Sequence, residues 1–324
     1  MKRNFDRGSK ICWTIALSFV LLGVFSCAPR DNPYDLNSPY ALPLLKGRVM
    51  DIWGREPVAN ARVEIDSSFL AFTDENGEFE VRVDVGEHIV SVYKDGYLSD
   101  SEQISLKFGD VKEVEFRLDA LPYMDSANLV TDHILSNISG ESYILKARCK
   151  VLDPDGLYEI DSVIFELPDT FFIMERDGEA WFSLQVDSDE LPSGSIHSLI
   201  GRSLFFKAVD VHGAHSRFGP FTLTRIIEPT PSGVSPIGGA SVSPQPEIVW
   251  RCFGANFPVS YELELYSAPI GQPPTLVLDT AGLTDTVYTI QSPLDEGYYY
   301  WVVYAVDEFG NRSRSVEYLF RVVP

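Results

Sequence analysis

The chain has 324 residues, with 47 acidic side chains against 26 basic ones and a formal net charge of −21. A surface that acidic repels phosphate backbones and anionic headgroups, which argues against nucleic acid as a partner and against membrane binding through a basic patch. Four cysteines in 324 residues make no disulfide framework, although 45% hydrophobic residues are ample for packed cores.

Lys2, Arg3, Arg7 and Lys10 open the chain, and an apolar run from Ile11 to Phe25 follows, broken only by Thr14, Ser18 and Gly23. This is the charge and hydropathy pattern of a secretory leader. The run is shorter than the ~20 apolar residues a spanning helix needs. Leu21-Leu22-Gly23-Val24-Phe25-Ser26-Cys27 then resembles a bacterial lipobox, with Phe25 bulkier than that motif usually takes. The resemblance implies that residues 1–26 are a signal peptide cut off before Cys27, and that Cys27 carries lipid and holds the protein to a membrane. The alternative is an uncleaved signal anchor with an incidental cysteine. Ala28, not Asp, follows the cysteine, which by resemblance to lipoproteins of Gram-negative bacteria implies the outer membrane, facing either the periplasm or the cell surface. Residues 27–44 hold four prolines and read as an extended tether. Their Cys-x3-Asp-Asn-Pro-Tyr-Asp start resembles that of many lipoproteins of Bacteroidetes-like bacteria.

Beyond the tether no long amphipathic helix is predicted. Short alternating runs are separated by Gly, Pro, Asp and Asn clusters, so the expected fold class is all-β: three tandem β-sandwich domains after a signal peptide and Pro-rich tether. The first domain covers 45–119. Ala61, Val63 and Ile65 alternate inward, as do Phe79, Val81 and Val83, and Asn76-Gly77 reads as a tight hairpin turn with positive φ at both central residues. The succession Gly47-Arg-Val49, Pro57 to Ile65, Thr73 to Phe79 and Gly86 to Tyr97 resembles the carboxypeptidase regulatory-like domain. That resemblance implies a transthyretin-like sandwich with no catalysis of its own, usually joined to another module. The second domain, 122–228, has strand candidates at Ser142–Leu152, Ile160–Leu167, Trp181–Val186 and Leu204–Asp210, and resembles an immunoglobulin-like sandwich. The third, 229–324, begins with a Pro/Ser/Gly segment at 229–246 expected to be a contact-poor linker. Trp250 anchors its first strand, and Leu294 to Asp307 resembles the penultimate strand of fibronectin type III-like domains.

Ala208-Val-Asp210-x-x-Gly213-x-x-Ser216 recurs as Ala305-Val-Asp307-x-x-Gly310-x-x-Ser313. A strand ending in a small residue, then an Asp-led turn with a left-handed Gly, is hairpin grammar. His-x-x-Glu, His-Glu-x-x-His, Gly-x-Ser-x-Gly, the P-loop and Gly-x-Gly-x-x-Gly are all absent from the sequence. No catalytic residue and no cofactor is therefore expected. One metal candidate stands apart: Asp153, Asp155 and Asp210, placed on two loops of one sandwich end, would suit Ca²⁺. His212 and His215 would better suit a transition metal. The same residues are also ordinary Asp-Gly turn chemistry. Cys149 and Cys252 fall in different domains and read as buried small apolar residues, not a disulfide.

The strand at 298–306 is apolar on both sides, which is unusual for a sheet with one wet face. Period two sends Tyr299, Trp301, Val303 and Ala305 to the core. Tyr298, Tyr300, Val302 and Tyr304 then face outward, beside Glu262, Glu264 and Tyr266 on one neighbour and Leu319 and Arg321 on the other. Tyr298, Tyr300, Tyr304, Tyr266, Glu262 and Glu264 are the candidate partner-binding residues, for an envelope protein or, alternatively, a polysaccharide. The competing reading makes them cross-strand sheet glue, or a face that the second domain covers.

Overall fold

The computed structural model describes residues 32–35, 38–251 and 254–324, so the leader, Cys27 and Cys252 lie outside the described residues. Among the described residues nearly all regular structure is strand, with two single-turn 3₁₀ helices at 188–190 and 196–199. The chain separates into two compact units, to residue 119 and from Ala120 to Pro324.

The first unit has seven strands: β1 (Leu44–Asp51), β2 (Arg62–Ile65), β3 (Ser68–Phe72), β4 (Glu78–Arg82), β5 (Gly86–Tyr93), β6 (Asp100–Leu106) and β7 (Val111–Leu118). They form two sheets, ordered β4-β1-β7 and β3-β2-β5-β6. Alternation decides which residues meet between them: Leu45 and Val49, Ala61 and Val63, Val90 and Val92, and Phe116 and Leu118 are all buried in one core. Gly47 lies opposite Phe79 in the β1–β4 register, and a Cβ on Gly47 would sit 2.1 Å from that ring. The glycine is therefore a slot for the phenylalanine.

The turn at Asn76-Gly77 differs from the expected hairpin. Only Gly77 has positive φ, at 72°, and β3 and β4 belong to different sheets. Asp74 builds this turn instead: its Oδ1 accepts from the N–H groups of Asn76 (2.9 Å) and Glu78 (2.8 Å). The two-residue hairpin with both central residues at positive φ is Asp66-Ser67, at 49° and 66°, closing the Ile65–Ser68 pair of β2 and β3. Local sequence favours Asn-Gly for such a turn, but the strand pairing placed it at a dipeptide with weaker intrinsic preference.

In the second unit, β8 (Tyr123–Ser136), β9 (Gly140–Leu152), β10 (Ile160–Glu166), β11 (Phe171–Ile173), β12 (Glu175–Arg176), β13 (Trp181–Asp187), β14 (Leu204–Asp210) and β15 (His215–Phe221) come first. There follow β16 (Ser232–Ser235), β17 (Ala240–Val242), β18 (Glu247–Arg251), β19 (Ser260–Ser267), β20 (Thr275–Leu283), β21 (Val287–Thr289), β22 (Gly297–Val306), β23 (Arg312–Arg314) and β24 (Tyr318–Val322). Two cores form. One gathers Leu145, Cys149, Val163, Phe165, Phe182 and Phe206; the other gathers Trp250, Tyr261, Leu263, Trp301, Val303 and Phe320. Cys149 is fully buried, and loss of water pushes its thiol pKa up to about 12, so it is an inert core residue.

One sheet serves both cores. Its path runs β12-β13-β9-β8-β23-β22-β19-β20, with β24 and β17 alongside. The join is a parallel pairing of β23 with β8 that sets Arg312 opposite Asp132, Ser313 opposite His133 and Arg314 opposite Ile134. Asp132 is 2% exposed. Arg312 grips it with two bonds, Nε to Oδ1 at 3.1 Å and Nη2 to Oδ2 at 2.8 Å, and Lys146 Nζ donates to Oδ2 at 2.5 Å. Burial alone would raise the Asp132 pKa, but these two cations hold it below the usual carboxylate range. Next to this ion cluster, Asn311 Oδ1 accepts from the Thr131 N–H at 2.9 Å, and Ser313 Oγ donates to the Pro229 carbonyl at 2.5 Å.

The segment 229–246 is not contact-poor. Within it, β16 pairs with β18 and β17 pairs with β24, and the Trp301 indole N–H donates to the Pro236 carbonyl at 2.8 Å. Its Pro and Gly content marks edge strands, where a missing N–H is tolerated, as readily as it marks a linker.

This packing has measurable consequences for stability. Gly77→Val forces a β-branched residue to positive φ with its Cβ 2.3 Å from the Val49 carbonyl oxygen; chemical denaturation should show a loss of about 3 kcal/mol. Gly96→Val, at positive φ but with nothing within 4 Å, should cost only ~1 kcal/mol. Asp132→Ala strands Arg312 and Lys146 at the sheet join and should cost ~3 kcal/mol. Because the folded pKa of Asp132 is depressed, its contribution is in place above pH ~4 and is lost as pH falls through the folded value. A pH series of melting temperatures should show that acid loss in the wild type and a weaker one in Asp132→Ala.

Candidate functional site

The candidate residues on β19 and β22 are brought to one face. Register pairs Glu262 with Tyr304, Glu264 with Val302 and Tyr266 with Tyr300. On the other edge, Tyr300 faces Leu319 and Tyr298 faces Arg321. The inward set is as alternation dictates, with Tyr299, Trp301, Val303 and Ala305 all buried. The outward set is half-buried, and Val302 within it is fully buried.

Most polar groups of this face are already engaged. Tyr266 and Tyr300 stack with centroids 4.9 Å apart and planes 13° from parallel. The Tyr266 hydroxyl donates to Glu264 Oε2 at 2.8 Å, and the Tyr304 hydroxyl donates to the same oxygen at 3.2 Å. Arg312 lies over the Tyr304 ring at 4.9 Å and reaches Glu262 at 3.5 Å. Burial, with the Glu264 charge added, pushes the Tyr304 pKa up to about 12, and the same causes raise that of Tyr266, so both phenols stay protonated. The open part of the face lies toward Leu319, which is 45% exposed, and toward Arg321, which lies 5.7 Å from the Tyr298 ring and 3.2 Å from Glu296. Arg312, which joins this face to the Asp132 cluster, is a residue that sequence reasoning missed. It lies beyond the Asp307-led turn, outside the aromatic run, and no local pattern pairs it with a residue 180 positions earlier.

The metal candidates lie in the β9–β10 and β14–β15 loops, which meet where the Val211 N–H donates to the Glu159 carbonyl at 2.8 Å. Asp153 is buried, and its Oδ1 accepts from the Asp155 N–H at 2.9 Å. Asp155 Oδ2 accepts from the Ala120 N–H at 2.7 Å. Asp210 is buried and organises the β14–β15 turn: its Oδ1 accepts from the N–H groups of His212 (2.9 Å) and Ala214 (2.8 Å). The two histidines diverge. His215 Nδ1 meets the carbonyl of Gly213 at 3.3 Å, whereas His212 Nδ1 lies 3.9 Å from Glu159 Oε2. No local pattern in the sequence marks Glu159 as the ion-pair neighbour of His212.

The repeated turn is a structural repeat as well. Gly213 and Gly310 have φ of 96° and 88°, and Asp307 Oδ1 accepts from the N–H groups of Phe309 and Asn311, both at 2.9 Å.

Comparison with known proteins sharpens the first unit. Residues 45–119 are a carboxypeptidase regulatory-like domain by match to that family. No curated protein matches the chain. Among solved structures, domains FN1-FN3 of chicken CNTN1 are 10% identical, cover 83% of this chain and 92% of their own length, and give a TM-score of 0.32. The fibronectin(III)-like modules of Clostridium thermocellum CbhA are 14% identical, covering 62% and 92%, with a TM-score of 0.28. A DUF3823 family protein from Parabacteroides merdae is 15% identical, covering 55% and 96%, with a TM-score of 0.23. Superpositions this loose carry no argument about function.

Proposed function

We propose that this chain is a non-enzymatic, lipid-anchored envelope protein whose β-sandwiches form a stalk presenting a protein-interaction surface. Cys27 carries the lipid and places the chain at the outer membrane, facing the periplasm or the cell surface, and residues 27–44 are the tether. The surface is the outer face of β22 with its neighbours β19 and β24. The observation that supports it is the combination of an apolar, half-open patch with a rigid backing. Tyr298, Tyr300 and the exposed Leu319 sit on a sheet that continues into a second sandwich, so the patch is held in a fixed geometry.

A protein partner fits this face better than a polysaccharide. Sugar rings need an open aromatic face with free hydrogen-bonding groups beside it. Here Tyr266 and Tyr300 cover each other, and Glu264 is occupied by two phenols. Tyrosine packed beside an exposed leucine and an arginine has the composition of a protein-interface centre.

Two measurements test the reading. Cells fed an alkyne fatty acid should label the wild-type chain, and Cys27→Ser should lose the label and accumulate as precursor or leave the membrane fraction; an unmodified Cys27 in the native protein overturns the anchor. For the surface, Leu319→Arg should reduce co-purification of an envelope partner at least tenfold at an unchanged melting temperature, since an exposed site is worth about 0.5 kcal/mol or less to folding. Tyr300→Ser should weaken the same capture. Glycan binding that falls with these substitutions while protein capture stays intact would favour the polysaccharide instead. A stability loss with no binding defect would make the tyrosines sheet glue.

A further inference from the structure

The outer face of the β3-β2-β5-β6 sheet carries aromatic residues that lie outside the core of the first unit. Register sets Arg62 opposite Phe72 on β3 and opposite Tyr93 on β5, so the arginine stands between two rings. Phe72 is 58% exposed and Tyr93 42%, and both line an open concavity of about 660 Å³. Concavities of this size hold small ligands.

Arg62 does not fill the space between the rings. Its guanidinium turns along the strand toward the next row of the sheet, where Nη2 pairs with Glu64 Oε1 at 2.5 Å and Cζ lies 5.8 Å from the Phe69 ring. Phe69 meets Phe72 at 5.1 Å with planes 52° apart, so it braces that ring without stacking over it. The result is a slot with an ion pair as its floor and two aromatic walls. Strands about 4.8 Å apart put Phe72 and Tyr93, two strands from each other, roughly 9–10 Å apart. A saturated six-membered ring held between two aromatic faces needs about 8 Å, twice the ~4 Å contact distance of carbon atoms.

The polar groups of the slot select the ligand class. The Asn60 amide, the Tyr93 hydroxyl and the Asp95 carboxylate line it, and none of these side-chain groups has a hydrogen-bond partner among the described residues. The amide and the phenol both donate and accept, and the carboxylate accepts. Two cations, Arg62 and Lys94, stand against two carboxylates, Glu64 and Asp95, so the slot is neutral in a chain of formal charge −21. A charged ligand gains little from such a balance, whereas a neutral polyol finds donors, acceptors and two apolar walls. Charged groups are depleted at the centre of protein interfaces, which argues against a protein here. We propose that this slot binds a neutral hexopyranose unit of a glycan, with Phe72 and Tyr93 on its two faces and Asn60, Asp95 and the Tyr93 hydroxyl bonding its hydroxyl groups. The site lies within the regulatory-like domain and is independent of the β22 surface and of the lipid anchor.

The test is titration calorimetry of the full chain with maltohexaose, cellohexaose and mannohexaose, each alone, and with the anionic hexamer of galacturonate as the control. Expected is one site for at least one neutral hexamer and none for the galacturonate. Phe72→Ala and Tyr93→Ala remove exposed rings, so each should weaken that binding roughly tenfold or more while the melting temperature stays close to that of the wild type. Tyr93→Phe keeps the wall and should weaken binding less than Tyr93→Ala does. Leu319→Arg, which probes the separate surface beside β22, should leave the sugar titration unchanged. Absence of binding by all three neutral hexamers, equal binding of the galacturonate, or Phe72→Ala and Tyr93→Ala variants that titrate like the wild type would each overturn the assignment. Loss of a captured protein in Phe72→Ala, with no sugar bound by the wild type, would overturn it too and make this face a protein-docking surface.

Discussion

The second unit depends on a carboxylate that sits where two sandwiches share a sheet. Asp132 is on β8, its cations are Lys146 on β9 and Arg312 on β23, and the parallel β8–β23 pairing puts all three at the join. Backbone pairing alone would leave a short parallel contact of three residues, and parallel pairs are slightly weaker per residue. The bidentate arginine adds direction and register, since its planar fork matches both oxygens of one carboxylate. Without a buried anion at this place, the two cores would meet through a weak edge; with it, one sheet crosses from one core to the other.

That join also explains the state of the aromatic face. Arg312 faces Asp132 on one side and lies over Tyr304 on the other, so the ion cluster and the tyrosine row share a residue. Glu264 collects the phenols of Tyr266 and Tyr304, and the Tyr266–Tyr300 stack fills the space between β19 and β22. The half of the face nearest the join is therefore an internal network. The half nearest β24, around Tyr298, Leu319 and Arg321, remains available to solvent. Rigidity at one end and openness at the other suit a surface that binds without reorganising.

The Asp-led turns show how one local device acquires different surroundings. Each aspartate closes its turn through Oδ1 and sends Oδ2 inward. Asn311 and Arg225 supply donors for one inward oxygen; Ala214, at the corresponding place, supplies none for the other. The side chain at a single turn position thus separates an aspartate with both oxygens hydrogen-bonded from one whose buried Oδ2 has no hydrogen-bond partner among the described residues.

Periodicity in the sequence determined the all-β class and the inward sets. Ala61-Val63-Ile65 and Tyr299-Trp301-Val303-Ala305 are legible because side-chain alternation is a property of each strand by itself. The regulatory-like domain was legible from the succession of Gly47-Arg-Val49, Pro57 to Ile65, Thr73 to Phe79 and Gly86 to Tyr97, and the family match covers the same residues, 45–119. The Asp-Gly turns were legible as turns, since Asp210 and Asp307 bond to N–H groups only two and four residues on. Strand partners were not. Nothing within the local sequence distinguishes Asn76-Gly77, which leads from one sheet to another, from Asp66-Ser67, which closes a true hairpin. The segment 229–246 has the composition of a linker and the hydrogen bonds of edge strands. Arg312 and Asp132, 180 residues apart, meet only because β23 docks on β8. Alternation and turn chemistry act over a few residues and are written in the sequence; the pairing of distant strands, and with it the Asp132 ion cluster and the shared tyrosine face, is decided by tertiary packing.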